Sequence, residues 1–307
     1  MNRPQADTGF NPKPGVPEEV APGVRRLLAP NPSAMTYRGT NTYLVGDSEI
    51  AVIDPGPASD AHLEAILNAV QPGGRIGHIL VTHSHLDHSP LAAALREATG
   101  APVYAHGTAT TGRSAIMAQL AAEGMLGGGE GIDHGFVCDH TMADGDIITG
   151  AGWQIEALHT PGHIGNHLCF AIGGLLFSGD HVMGWASSLV SPPDGDLTDF
   201  MASCARLQQR RWTCFLPGHG DLVHDPAERL AWLIAHRKRR EADILEQLAH
   251  GAADAPSLAR HIYRDTPDAL LPAAERNVLA HLVDLYQRGR VRPTATLARD
   301  ATFELCR

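Results

Sequence analysis

Short apolar runs, many of them closed by glycine or proline and then a histidine or aspartate, recur along the first two thirds of the chain. Residues 41–54, NTYLVGDSEIAVID, place the β-prone runs TYLV and IAVI on either side of the polar GDSE, which predicts a hairpin. In residues 60–70, Leu63, Ile66, Leu67 and Val70 recur at helical spacing, and QPGG ends that helix. HILVTH then reads as a strand ending in histidine, LAAALREATG as a helix, and APVYAH as a strand ending at His106. Alternating strands and helices predict a layered α/β fold with its chemistry on the loops that follow the strands.

Residues 107–135 read as a helical excursion with a glycine-rich tip, GMLGGGEG, placed where it could cover a site. Strand character returns in WQIEALHT and HLCFAIGGLLFSGD, with GG as the turn; 198–211 is helical, and WTCFLPGHG is a last strand. From about residue 226 one long helix is expected up to Gly251, with helices around 256–263 and 272–288 and a terminal ribbon after them. Three helices and a ribbon predict a small winged-helix-like module. The expected organisation is a flexible N-terminal arm over 1–23, a catalytic domain over 24–230 and a winged-helix-like domain over 231–307.

Composition narrows the classes. The 307 residues are 43% hydrophobic and 19% charged, which excludes global disorder. No apolar run approaches the roughly 18 residues of a membrane span, so no membrane association is expected. The proline-rich opening lacks an apolar signal region, and Cys138, Cys169, Cys204, Cys214 and Cys306 form no CxxC pair. Reduced thiols and a cytoplasmic location are the expectation. The net charge of -10 argues against a general nucleic-acid coat protein. Residues 1–230 hold 12 Lys+Arg against 24 Asp+Glu, and residues 231–307 hold 12 against 10. HRKRR (236–240), the dense basic run, suits either an RNA backbone or the solvent face of a helix.

Histidine is the outlier, with 18 residues. The segment 82-THSHLDHSP-90 supplies His83, His85, Asp87 and His88 directly after an apolar strand. Imidazole and carboxylate suit zinc, iron or manganese, and a tight loop can turn alternate side chains toward two adjacent ions. A helix cap would explain one of these residues, not four. The elements 159-HTPGH-163, 178-SGD-180 and 217-PGHG-220 repeat the form, with glycine letting the backbone close around an ion.

HSHLDH, HTPGH, SGD and PGHG, in that order, resemble the metallo-β-lactamase fold hydrolases over roughly residues 24–225. The resemblance implies a four-layered αβ/βα sandwich, with His83, His85 and His163 on one metal, Asp87, His88 and His219 on a second, and Asp180 between them. It also implies Asp54 as the partner that fixes a ligand imidazole. NPSAMTYRGTNTYLVG (31–46), HRKRREADILEQL (236–248) and the helical tail are similar to the branch of β-lactamase-like protein 2. That branch includes single-stranded RNA endonucleases and thioesterases acting on carrier-bound polyketides. Many members carry a glycine pair after DHS, where this chain has Pro90 and Leu91.

The implied chemistry is hydrolysis. Two divalent ions, Zn2+ first with Fe or Mn as alternatives, hold a bridging hydroxide that attacks an ester, thioester or phosphodiester. Asp87 orients that nucleophile. His167 either donates to the developing oxyanion or is a structural strand residue. His159 and His181 are supporting residues, His106 is a packed polar residue, Trp185 is a pocket wall or a packed loop residue, and Asp194 and Asp196 are solvated turn residues. The substrate is a small or carrier-linked ester or thioester, or alternatively single-stranded RNA. An iron-dependent persulfide oxygenase and a noncatalytic binding protein are the outlying readings, and a homodimer remains open.

Overall fold

The computed structural model describes residues 9–125 and 131–306, so most of the glycine-rich tip expected near residues 124–131 lies outside them. Seven strands form the first sheet in chain order: β1 (Glu18–Ala21), β2 (Val24–Leu28), β3 (Asn41–Val45), β4 (Glu49–Ile53), β5 (Arg75–Leu80), β6 (Val103–Ala105) and β7 (His140–Thr141). The first four pair antiparallel. From β4 onward pairing is parallel, because α1 (Asp60–Asn68) and α2 (Leu91–Thr99) return the chain between strands.

The second sheet has five strands, β8 (Ile147–Gly150), β9 (Trp153–His159), β10 (Leu168–Ile172), β11 (Leu175–Gly179) and β12 (Cys214–Pro217), in the order β12-β11-β10-β9-β8. Its β11–β12 pair is parallel, and α4 (Leu197–Leu207) makes that crossover.

Strand periodicity builds the layers. In β4, Ala51 and Ile53 face the core between the sheets, while Ile50 and Val52 face the core under α1 and α2. In β10, Leu168 and Phe170 enter the same central core, and Cys169 and Ala171 meet Phe200 and Leu207 of α4. The result is the expected four-layered α/β sandwich with a small helical, winged-helix-like module.

That module comprises the far half of α5 (Pro226–Leu248), α6 (Ala255–Ile262), α7 (Leu271–Gln287) and a three-stranded sheet of β13 (Ala253–Asp254), β14 (Val291–Pro293) and β15 (Thr302–Leu305). The boundary expected at 230/231 falls inside α5. Leu230 and Leu233 pack on the second sheet's outer layer, whereas Ile244 and Leu248 belong to the module's core. A continuous amphipathic stripe does not announce that it changes partner halfway. Met117 and Leu120 of α3 (Ala115–Ala122) also join the module's core, so the helix of the 107–135 excursion docks there.

The arm expected to be flexible over 1–23 contains β1, whose Glu18 and Glu19 pair with Arg26 and Arg25. Pro17 and Pro22 flank this edge strand without interrupting it, the placement that sheets tolerate. Phe10 is buried, with the Arg26 guanidinium 4.7 Å from its ring centroid.

Candidate metal centre

The strands bring the marked residues to one edge. β4 stops before Asp54, β5 just short of Thr82 and His83, β11 before Asp180, and β12 before Gly218 and His219. Backbone bonds tie these ends together: Asp54 N to Leu80 O at 2.8 Å, Leu168 N to Thr82 O at 2.7 Å, and Gly218 N to Gly179 O at 2.9 Å. Gly218 is required by close approach, since a Cβ there would lie 2.6 Å from both Asp180 Oδ1 and His88 Cε1. The capping role considered for the 82–90 segment is absent: α2 starts after Pro90 with no side-chain cap.

Among the described residues three overlapping groups form: His83, His85 and His163; His83, His88 and Asp180; and Asp87, His88 and His219, with the ligand atoms of each within 4.8 Å of one another. His163 Nε2 is 3.0 Å from His85 Nδ1, and His88 Nε2 is 3.3 Å from His219 Nε2. Asp180 Oδ2 lies 3.4 Å from His219 Nε2 and 3.8 Å from His163 Nε2, so this carboxylate sits between the two triads.

Hydrogen bonds on the far side of each ring fix what it presents. His163 Nδ1 donates to Leu189 O at 2.6 Å, and His219 Nδ1 donates to Gly39 O at 3.1 Å. His88 Nδ1 donates to Asp54 Oδ2 at 2.9 Å. Thr82 Oγ1 gives its proton to the same Asp54 oxygen at 2.7 Å and accepts from His83 Nδ1 at 2.9 Å. Four imidazoles therefore turn their Nε2 atoms into one space, the atoms that become lone-pair donors once the rings are neutral. His83 Nε2 and Asp180 Oδ1 are buried with no hydrogen-bond partner among the described residues. Imidazole nitrogens crowded beside carboxylate oxygens fit a divalent cation pair.

Electrostatics divides the centre. Burial, reinforced by the neighbouring imidazoles, pushes His83 well below its ordinary value. Burial and His163 take His85 down to about 3. Those rings are neutral donors. Burial also opposes charge on His88, but Asp87, Asp180 and Asp54 outweigh it and raise the ring to about 9. His219 is likewise raised well above its usual value, against burial, chiefly by Asp180. One side is a neutral three-histidine cluster, and the other holds an excess of negative charge that attracts a cation.

Asp54 has φ +52 and spans both sides, reaching His88 directly and His83 through Thr82. Its carbonyl accepts from Thr42 Oγ1 at 2.6 Å, and Thr42 in turn accepts from His62 Nε2 at 2.8 Å. Sequence reasoning missed Thr42, His62 and Thr82; buried hydroxyls leave no spacing signal.

His167 is fully buried. Its Nδ1 donates to Thr160 Oγ1 at 2.9 Å, and its Nε2 accepts from Asp180 N at 3.2 Å. The ring has no proton to offer an oxyanion, so the expectation that it is catalytic gives way to the structural alternative: it holds the Asp180 peptide. His181 meets Cys204, while His106 stacks on His159 at 3.9 Å. Trp185 stacks on Tyr37 at 5.2 Å and borders Gly220, next to His219. Asp194 and Asp196, expected in solvent, are buried: Asp194 pairs with Arg113, while Asp196 caps α4 and accepts from Ser114 Oγ. Within the basic run Arg237 is fully enclosed, while Lys238 is exposed.

The metallo-beta-lactamase superfamily profile matches residues 35–245, and that of the beta-lactamase associated winged helix domain matches 255–299. A Drosophila melanogaster protein named beta-lactamase-like protein 2 homolog is 32% identical over 283 residues, 88% of this chain and 89% of its own. An atrochrysone carboxyl ACP thioesterase of Claviceps purpurea is 29% identical over 242 residues, 74% of this chain and 66% of its own. The crystal structure of a beta-lactamase domain protein from Burkholderia ambifaria shares the fold, with a TM-score of 0.79 at 23% identity over 97% of this chain and 96% of that one. The chain belongs to the metallo-beta-lactamase superfamily.

Proposed function

We propose that this member of the metallo-beta-lactamase superfamily is a binuclear metal-dependent hydrolase, with Zn2+ the preferred ion, acting on a small or carrier-linked ester or thioester. The observation that carries the reading is the convergence of four imidazole Nε2 atoms with the carboxylates of Asp87 and Asp180 on one buried space. His83, His85 and His163 would hold one ion, Asp87, His88 and His219 the other, and Asp180 both. When bound, the ions supply an activated water and polarise the scissile carbonyl. Asp87 is the more exposed of the two carboxylates, lies 3.1 Å from His219 Nε2, and accepts a hydrogen bond from the attacking water, aiming it. Asp180, held by His167 through its peptide, keeps the two halves in register.

Two features support a carbonyl substrate over RNA. The acidic catalytic domain repels a polyanion, and the guanidinium of Arg237 in HRKRR is spent on internal bonds. At the centre itself, Leu86, between two ligands, is 52% exposed and offers an apolar lip to an acyl chain. The thioesterase relatives belong to the same class of chemistry.

The test is release of thiol from an acyl-N-acetylcysteamine by Zn2+-loaded protein, beside an unstructured RNA and the Asp87→Asn variant. Thiol release lost in the variant supports the reading. RNA cleavage without thiol release would replace it with a nuclease, consistent with the similarity to beta-lactamase-like protein 2.

A further inference from the structure

Leu189 O orients His163, and a carbonyl orients a ring only as well as its own peptide is held. The residues on either side of Leu189 are both anchored by the C-terminal helices. Arg237 of α5 donates to Ser188 O, and Val190 N donates to Asn277 Oδ1 of α7 at 3.1 Å. The anchors are joined, because Arg237 Nη1 donates to the same Oδ1 at 2.9 Å. Asn277 Nδ2 donates to Ala273 O at 3.2 Å, which sets the amide with its oxygen toward the loop.

Arg237 sits at 1% exposure, its guanidinium 5.2 Å from the Phe200 ring centroid, and pairs with no carboxylate among the described residues. Burying a guanidinium without a counter-charge is costly. The position lies on the apolar stripe of α5, with Leu230, Leu233 and Ile244, where a leucine would satisfy packing alone. Its donors are therefore the physical reason for an arginine there.

We propose that Asn277 and Arg237 are positioning residues for His163, making the winged-helix-like domain a working part of the three-histidine site. The inference rests on the metal reading of that site. Co2+ is titrated against a chromophoric chelator into wild type, Asn277→Leu, Asn277→Asp and His163→Ala, with the Co2+ absorption bands and the thermal transition recorded for each. Asn277→Leu is expected to bind Co2+ at the three-histidine site about tenfold more weakly, the low end for residues that support a ligand, with shifted bands. The second site is expected to hold its affinity. Asn277→Asp retains an oxygen for both donors and is expected to restore wild-type binding. Should Asn277→Leu not fold, Asn277→Ser carries the same expectation, its hydroxyl being too short to reach both donors. A folded Asn277→Leu or Asn277→Ser protein with a lowered melting point but wild-type affinity and bands overturns this inference alone. Wild type that takes up no Co2+ at the three histidines overturns the proposed function with it.

Discussion

Replacing Asp54 with asparagine removes one negative charge and one acceptor while keeping size and backbone, since asparagine tolerates φ +52. Asp54 accepts from Thr82 N at 2.7 Å, Thr82 Oγ1 at 2.7 Å and His88 Nδ1 at 2.9 Å. The single amide oxygen can keep the bond from Thr82 N. The new NH2 then faces two former donors. His88 Nδ1 can only accept from it, which moves the ring proton to Nε2, inside the cluster. Thr82 Oγ1 must also accept, turning its own proton toward His83 Nδ1 and forcing that ring's proton onto Nε2. Each ion thus loses a ligand in its working tautomer. Loss of one such support costs about 10–100-fold in affinity, or about 1.4–2.7 kcal/mol, and here both ions are expected to pay it. Chelator competition with Zn2+ at neutral pH, resolved into two equivalents, is the assay. An Asp54→Asn protein that keeps both ions at wild-type affinity would refute the reasoning, and strand geometry alone would then orient the ligands.

The raised values of His88, about 9, and His219 set a pH dependence in the metal-free protein. Stability from the charged His88 ring is complete below about 6.5 and lost as pH rises through about 9, with His219 acting in the same direction, so the melting temperature falls across that window. The same protons must leave before metal binds, so affinity rises there; calorimetric scans and metal titrations at stepped pH check both, and flat profiles contradict the assignment. Asp87→Asn is expected to lower kcat by about 10²–10⁴-fold with the circular dichroism spectrum unchanged, and an active variant would remove Asp87 from the reaction. Gly218→Ala must displace Asp180 or His88, and a misplacement of about 1 Å costs roughly 10²-fold in kcat/KM, read by steady-state kinetics. Burial pushes the Cys169 and Cys204 thiols up to about 12, so alkylation of the native protein should label the exposed Cys306 and spare these two until denaturant is added.

The candidate ligand positions were legible because each group follows a strand, and His163, Asp180 and His219 stand beside glycine, so a one-dimensional pattern marks a point at a sheet edge. Nothing in spacing marks the far side of the rings. Thr82 stood inside the motif, yet its role depends on a hydroxyl proton aimed at Asp54, 28 residues earlier. The histidine pattern likewise drew His167 toward catalysis, although its neighbours turn it to the Asp180 peptide. Polarity misled at Asp194, Asp196 and Arg237, which carry charges typical of a surface and are buried by partners far away in sequence. A layered α/β fold was readable from alternating apolar runs, and its four-layered form from the resemblance carried by the motifs. The edge strand β1 was not, since its four residues, EEVA, sit between prolines.

The continuity of α5 bears on how such a molecule can be inherited and taken apart. No linker separates its two halves: 23 residues of one helix pass from the outer layer of the second sheet into the helical module. Recombination that exchanged the tail would have to splice through a helix and preserve its rotational phase, because one added residue turns every later side chain by about 100°. A protease meets no exposed hinge at that junction, and truncation there would strip cover from Phe200, Leu230 and Leu233. The two parts are expected to melt in one calorimetric transition and to travel through descent as a single piece.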